Sequence, residues 1–296
     1  MFKGSFVALV TPFTKKGGVD ETTLERLIEF HIRNGTDGIV PCGTTGESAT
    51  LNYEEHEHVI EICIRAAKKR IPVVAGTGSN STQEALELSL HAKQMGADGL
   101  LLVSPYYNRP TQKGLYLHFK AIADQVDLPI ILYNIQSRTA VNIEPETIMK
   151  LSADCKNIVA IKEASGSLDQ MSRIMALCGK KLTMLSGDDS LTLPLMAIGG
   201  EGIISVVANI IPKDVKAMVS AFFKGDLKEA KKLHYQMLPL IKAMFIETNP
   251  IPVKTAMGLL NLCEPSLRLP LCEMARDTLA KLKTALRDYG LMADSS

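Results

Sequence analysis

The run Ile158-Val159-Ala160-Ile161 is short, apolar and β-branched, and it delivers Lys162 at its end, followed at once by Glu163-Ala164-Ser165-Gly166. A lysine ordinarily lays its stem along apolar surface and keeps its ammonium in water. At the mouth of a buried strand the neutral amine is favoured instead, and a neutral amine attacks carbonyl carbon. The plain alternative is an ion pair between Lys162 and Glu163 at an ordinary strand end. Gly43-Thr44-Thr45-Gly46-Glu47-Ser48 offers backbone N–H groups and hydroxyls that suit a nest for a small carboxylate, or only a tight strand-to-helix turn. Tyr106-Tyr107 could be packing aromatics, and Arg138 a surface ion-pair partner. Gly76-Thr77-Gly78 lacks the third glycine of a dinucleotide fingerprint. Metal chemistry is disfavoured: His56 and His58 are two apart on an expected helix and point apart, and the six histidines contain no HExxH. A lysine at a strand end without metal ligands points to Schiff-base chemistry.

The elements that must position these groups alternate along the chain. Strands are expected at Ser5 to Val10, Gly38 to Pro41, Ile71 to Ala75, Gly99 to Val103, Leu128 to Tyr133, Asn157 to Lys162, Leu182 to Ser186 and Gly202 to Val206. Each is nearly all apolar, which suits a parallel sheet buried on both faces. Amphipathic stretches separate them, one capped by Asp20 and another opened by Asn52 with Glu55 at capping-box spacing. Eight such units fit a (β/α)8 barrel in residues 1–225, with a helical segment over 226–296 broken near Asn249-Pro250-Ile251-Pro252 and Glu264-Pro265. A doubly wound open sheet is the competing architecture and lacks its usual phosphate or dinucleotide loop here. In a barrel the active site lies at the C-terminal strand ends. There the sequence places Thr44 and Thr45, Tyr106 and Tyr107, Tyr133, Arg138, Lys162, and Gly187-Asp188 on one rim.

Composition narrows the class. Lys+Arg 33 against Asp+Glu 32 gives a net charge of +1 without long runs of one sign, which disfavours nucleic acid and anionic membrane surfaces. The longest apolar runs are strand-sized, and Met1-Phe2-Lys3-Gly4 shows no signal-peptide architecture. Cysteines 42, 63, 155, 178, 263 and 272 include no CxxC and read as reduced thiols of a cytoplasmic protein.

With these residues in view, the chain resembles the dihydrodipicolinate synthase family, part of the pyruvate-dependent class I aldolase barrels that also include N-acetylneuraminate lyase. The resemblance runs from Gly4-Ser5 to Asn249-Pro250-Ile251-Pro252-Val253-Lys254. It is carried by the glycine-threonine loop, Tyr133, Lys162, Ser104-Pro105-Tyr106-Tyr107-Asn108-Arg109-Pro110 and Ser137-Arg138-Thr139. It implies a carbon-oxygen lyase that needs no cofactor or metal. Pyruvate and L-aspartate 4-semialdehyde would condense through a Schiff base on Lys162 to 4-hydroxy-tetrahydrodipicolinate, in lysine and diaminopimelate biosynthesis. By the same resemblance Thr44, Tyr133 and Tyr107 form a proton relay, Tyr107 coming from a neighbouring subunit of a homotetramer, a dimer of dimers. Thr45 would hold the pyruvate carboxylate and Arg138 that of the semialdehyde. Ile204, Gly187 and Asp188 would face the substrate. Ser48, Ala49, His56, Asn80, Glu84 and Tyr106 match an allosteric pocket for L-lysine as inhibitor.

Three positions depart from the family pattern: Gln136 where proline is usual, Ala140 where glycine is usual, and Tyr53 where lysine-sensitive members have histidine. In the lysine pocket, Glu84 has an alternative role, because Ser81 and Glu84 have capping-box spacing. His56 has one as an exposed helical histidine. A sialate or keto-deoxy-sugar lyase is the competing enzyme, and a catalytically silent amino-acid-binding regulator the competing non-enzyme. Arg138 argues against the first. Lys162, Thr44, Tyr107 and Tyr133 together argue against the second.

Overall fold

Apolar runs covered on both faces become eight parallel strands in the computed structural model, which describes residues 2–293. They are β1 (Gly4–Ala8), β2 (Gly38–Val40), β3 (Val74–Gly76), β4 (Gly99–Val103), β5 (Ile130–Asn134), β6 (Ile158–Glu163), β7 (Thr183–Ser186) and β8 (Gly202–Ser205). Their order is β2-β1-β8-β7-β6-β5-β4-β3. A parallel bridge between Ile39 and Val73 brings β2 against β3, where Ile39 N–H donates to Pro72 O at 2.9 Å and Gly76 N–H to Pro41 O at 3.0 Å. The open sheet is thereby excluded, and the (β/α)8 barrel stands.

Only β4 keeps its expected bounds; the other seven strands shift at one or both ends, and for two of them the local reason is plain. The third starts at Val74 and not Ile71, because Pro72 has no N–H to give a ladder. The first stops at Ala8, because Val10 N–H donates instead to the Asn209 side chain at 3.2 Å.

Helices α1 (Glu21–Arg33), α2 (Tyr53–Ala67), α3 (Thr82–Met95), α4 (Gln112–Ala123), the single turn α5 (Gln136–Thr139), α6 (Pro145–Asp154), α7 (Leu168–Cys178), α8 (Thr192–Ala197) and α9 (Pro212–Phe223) wrap the barrel. Asp20 caps α1 through Thr23 N–H, and Asn52 with Glu55 forms the full capping box of α2. Beyond them α10 (Leu227–Ala243) packs on α9 and α8, and α12 (Arg276–Asp288) packs on α10 and on α11 (Ile251–Leu259). The helical run ends at Ala243, earlier than the prolines suggest, and α11 starts just after Pro250. No helix among the described residues is long and apolar enough to cross a membrane. All six cysteines are free thiols, with only Cys272 exposed.

The outer core lies between helices and strands. The inner one fills the barrel and includes Phe6, Val74, Leu101, Ile131, Leu185 and Ile204. The barrel seam between β1 and β8 depends on one close approach. Gly202 has φ +141°, and a Cβ there would fall 2.0 Å from Gly4 O. Gly202→Ala should therefore cost roughly 3 kcal/mol or more through backbone clash and strain. A denaturation midpoint unchanged from the parent protein would contradict this.

Candidate active site

Along β6 the side chains alternate. Ala160 belongs to the inner core and Ile161 to the outer one, so Lys162 points inward and Glu163 outward. Lys162 is buried, with Nζ 4.1 Å from the centroid of the Tyr133 ring, its register partner on β5. Glu163 accepts instead from Ser165 N–H at 2.7 Å and from the Asn134 and Gln170 side-chain amides at 3.1 Å each. The strand-end ion pair of Lys162 with Glu163 is not formed.

Gly187 lies at the exit of β7 and packs beside the lysine stem. A Cβ there would meet Lys162 Cε at 3.1 Å and Ala164 Cβ at 2.7 Å. Ile204 shares the inner cluster with Tyr133. Lys162, Tyr133, Gly187 and Ile204 thus form the floor.

A cavity of about 540 Å³ has a lining that includes Thr44, Tyr106, Arg138 and Asn249 but none of the four floor residues. Val103 and Ile135 belong both to this lining and to the rim of the inner core, so they join cavity to floor. The glycine loop folds on itself: Gly43 O accepts from Gly46 N–H at 3.1 Å, and Thr44 O from Glu47 N–H at 3.1 Å. Thr45 is buried, and its Oγ1 accepts from Asn249 Nδ2 at 3.0 Å. With a lone pair so engaged, its own O–H is left to donate. The Thr44 and Tyr133 hydroxyls bond to no other described residue.

Arg138 sits on α5 and donates from Nη2 to Asn249 O at 3.0 Å. Gln136 occupies the first helical position of α5, where the fixed φ of proline would be favourable. Ala140 closes that turn at φ +58°, a left-handed cap that glycine adopts without strain. Both departures therefore loosen the turn that carries Arg138. Asn249 grips Thr45 and Arg138 at once, a role hidden in the sequence, where Asn249-Pro250 read only as a helix break and a matching motif.

Tyr107 is 90% exposed at φ +71°, and its hydroxyl bonds to no described residue. Tyr106 turns the other way and lines the cavity. Asp188 spends Oδ1 on Ser190 N–H and Oγ, both at 2.8 Å. Its neighbour Asp189 is fully buried and accepts from Ser205 Oγ and from Val206 N–H at 3.0 Å, tying the β7 loop to the strand end beside Ile204. Nothing in the Asp188-Asp189 pair distinguishes the buried member beforehand.

Ser48, Ala49, His56, Glu84 and Tyr106 line another part of the same cavity. Asn80 is not in that lining, and its carbonyl accepts from Asn108 Nδ2 at 2.8 Å. Glu84 accepts from Tyr53 O–H at 2.8 Å and from Ser79 Oγ. Ser81 does cap α3, yet the Glu84 carboxylate does not reach back, and Ser81 N–H donates to Ser79 Oγ instead. His56 is buried, not exposed, with Nε2 2.9 Å from Gly76 O. Burial lowers its pKa, so the neutral ring donates from Nε2. His58 faces away, 2.9 Å from Glu21. The described residues hold no cluster of three or more His, Cys, Asp or Glu suited to a metal.

Lys162 is the sole cation on any of the eight strands. It is therefore the one amine that the strands offer to the barrel interior, a site of the kind that an imine-forming barrel enzyme requires. Comparison with known proteins identifies the family. The chain matches the dihydrodipicolinate synthetase family over residues 1–289. A 4-hydroxy-tetrahydrodipicolinate synthase of Geotalea uraniireducens is 60% identical across 99% of this chain and 100% of its own. The crystal structure of a dihydrodipicolinate synthase from Aquifex aeolicus superposes with a TM-score of 0.97 at 53% identity, covering 99% of this chain and 100% of that one. A dihydrodipicolinate synthase of Acinetobacter baumannii complexed with pyruvate gives 0.96 at 46% identity over 99% and 100% of the two chains. One of Cyanidioschyzon merolae with lysine bound gives 0.95 at 42% over 98% and 99%. The chain belongs to the dihydrodipicolinate synthetase family.

Asp189 supplies a pH test of the β7–β8 tie. Burial raises its pKa from 3.8 to about 6, so the folded state holds this proton more tightly than the unfolded one. The stability it contributes is present at low pH and is lost as pH rises from about 4 through 6. Asp189→Asn should gain on the parent by on the order of 3 kcal/mol between pH 4 and pH 7, read from paired denaturation curves. A stability difference independent of pH would contradict the assignment.

Proposed function

We infer that the chain condenses pyruvate with L-aspartate 4-semialdehyde through an imine on Lys162, giving 4-hydroxy-tetrahydrodipicolinate for lysine and diaminopimelate biosynthesis in the cytoplasm. The observation that carries this reading is the inward lysine over Tyr133, joined through Val103 and Ile135 to a cavity that bears hydroxyls and one arginine. The amine adds to C2 of pyruvate and water leaves, forming the imine. Loss of a C3 proton gives the enamine, whose C3 attacks the semialdehyde carbonyl. The substrate's amino group then adds to the imine carbon, closing the ring and expelling the Lys162 amine. Tyr133 and Thr44 carry protons in these steps, since both hydroxyls are otherwise unengaged. The Thr45 hydroxyl and the loop N–H groups receive the pyruvate carboxylate. Arg138 receives that of the semialdehyde, a fixed guanidinium fork on a carboxylate. Gly187 leaves room for the lysine stem, and Ile204 and Asp188 bound the substrate side. A sugar lyase would need hydroxyl partners where Arg138 stands.

Borohydride with pyruvate should fix a covalent adduct on the peptide containing Lys162. In Arg138→Ala that adduct should persist while turnover with semialdehyde falls by a factor corresponding to about 2–5 kcal/mol. An adduct elsewhere, or an unimpaired Arg138→Ala enzyme, would reject the reading.

Tyr107 completes the relay from a second copy, in a homotetramer built as a dimer of dimers. Its left-handed backbone and 90% exposure support this, because a side chain so placed serves nothing in its own barrel. Mixing inactive Tyr107→Phe protein with inactive Lys162→Ala protein should restore part of the activity after subunit exchange. Exchange without recovery would exclude a shared site.

The cavity arm at Ser48, Ala49, His56, Glu84 and Tyr106, with Asn80 at its edge, takes L-lysine as inhibitor. Glu84 is the partner for an ammonium, and Tyr106 leads toward Tyr107. Tyr53 already holds one Glu84 oxygen, so bound lysine competes with it. Millimolar lysine should slow turnover, coupling of about 1–3 kcal/mol being typical. Tyr53→Phe should tighten lysine roughly three- to ten-fold, the worth of about one hydrogen bond. Calorimetry showing no lysine binding to either protein would end this assignment.

A further inference from the structure

Behind the glycine loop lies an ion pair that the chemistry above does not use. Lys254 Nζ stands 2.6 Å from Glu47 Oε1, and the two side chains are 0% and 1% exposed. Two charges taken out of water are a poor route to stability, and in some proteins such a pair serves to specify one arrangement of the chain. Glu47 closes the loop that carries Thr44 and Thr45, and it does so at φ +54°, a conformation that a residue with a side chain keeps only when its surroundings hold it.

Beyond bonds within the loop itself, the partners of the Glu47 carboxylate both come from the C-terminal part of the chain. Glu47 Oε1 accepts from Lys254, and Oε2 from Arg268 N–H at 3.1 Å. The ammonium lies 4.1 Å from the centroid of Phe13, a ring that the Arg268 guanidinium also faces at 4.3 Å. Glu47 is its one hydrogen-bond acceptor among the described residues. Five residues before Lys254, Asn249 Nδ2 holds Thr45 Oγ1. One short segment thus grips the loop at residues 45 and 47, on either side of Gly46. The barrel itself closes without it.

We propose that Glu47 and Lys254 are positioning residues for the carboxylate of the 2-oxo acid: their buried pair sets the loop that binds it, and loss of the pair weakens pyruvate capture while leaving imine chemistry intact. This deepens the reading of residues 43–47 as the carboxylate nest and rests on it.

The test is borohydride trapping across a pyruvate series in the parent protein, Lys254→Met, Glu47→Gln and the double variant, with melting curves alongside. Half-saturating pyruvate should rise at least ten-fold in Lys254→Met and in the double variant. The trapped fraction at saturation, measured by mass on the Lys162 peptide, should stay within about two-fold of the parent. The double variant leaves no lone buried charge and should recover most of the melting temperature that Lys254→Met loses. Its pyruvate affinity should not recover with it.

A double variant with parental half-saturation, or affinities that simply follow melting temperature, would make the pair structural and overturn the proposal. Should the methionine variants fail to fold, Glu47→Gln decides alone: a ten-fold rise supports positioning, and no change overturns it. A parent protein that traps no pyruvate at Lys162 fails differently, since it rejects the imine reading and the proposal with it.

Discussion

Period two along a buried strand is the constraint on which the rest of this structure depends. On β6 it sends Lys162 into the barrel and Glu163 into the layer under the helices, so the two charges never neutralise each other. The carboxylate is then satisfied by Asn134, Ser165 and Gln170, which anchor the strand end from outside. The amine meets an aromatic face and a passage left open by Gly187. A one-residue slip in β6 would exchange the two environments. It would bury a carboxylate where an amine is needed, and the register with Tyr133 on β5 and Leu185 on β7 guards against it.

Closure of the barrel makes a floor but no lid. The loops that rise from the strand ends need an outside reference, and residues beyond the eighth strand supply it. Asn249 reaches Thr45 and Arg138, which come from the second and fifth strand exits. Lys254 and Arg268 reach Glu47, and Arg268 also holds Thr50 O and Glu55. Two side chains on separate loops, Thr45 and Arg138, are thus referred to one segment, which fixes their spacing better than either loop alone. The turn carrying Arg138 has the weakest local support, because Gln136 and Ala140 lack the backbone bias of proline and glycine. Its hydrogen bond to Asn249 compensates.

The barrel and the buried lysine on its floor were legible in the sequence because both follow short-range rules. Apolar runs of strand length, helix caps at Asp20 and Asn52, and a lone lysine at a strand end can each be read within a few residues. What was not legible depends on contacts across more than a hundred residues. That Asn249 would meet Thr45, or Lys254 meet Glu47, has no local signature. His56 and Glu84 show a similar limit at shorter range. Helical spacing offered an exposed histidine and a capping carboxylate as the alternatives to a lysine pocket, whereas packing of α2 against α3 buries His56 and lets Tyr53 take Glu84. Positive φ at Ala140 was likewise invisible, since alanine carries no turn preference to announce it.

Backbone strain shows where this chain gives up stability for arrangement. Eight described residues other than glycine have positive φ. Cys42 and Glu47 follow β2, Tyr107 and Arg109 follow β4, and Ala140 follows β5, so five of the eight lie on the active-site rim. A left-handed non-glycine residue costs of order 1–2 kcal/mol and persists only when neighbouring contacts over-determine it. At Glu47 those contacts are a buried ion pair and a backbone hydrogen bond. At Ala140 the turn bond to Gln136 O is the local support. At Tyr107 and Arg109 the side chains have no hydrogen-bond partner among the described residues, and both are exposed. The strain pattern thus separates the β2 and β5 exits, whose left-handed residues are held by contacts, from the β4 exit, where such side-chain contacts are not formed.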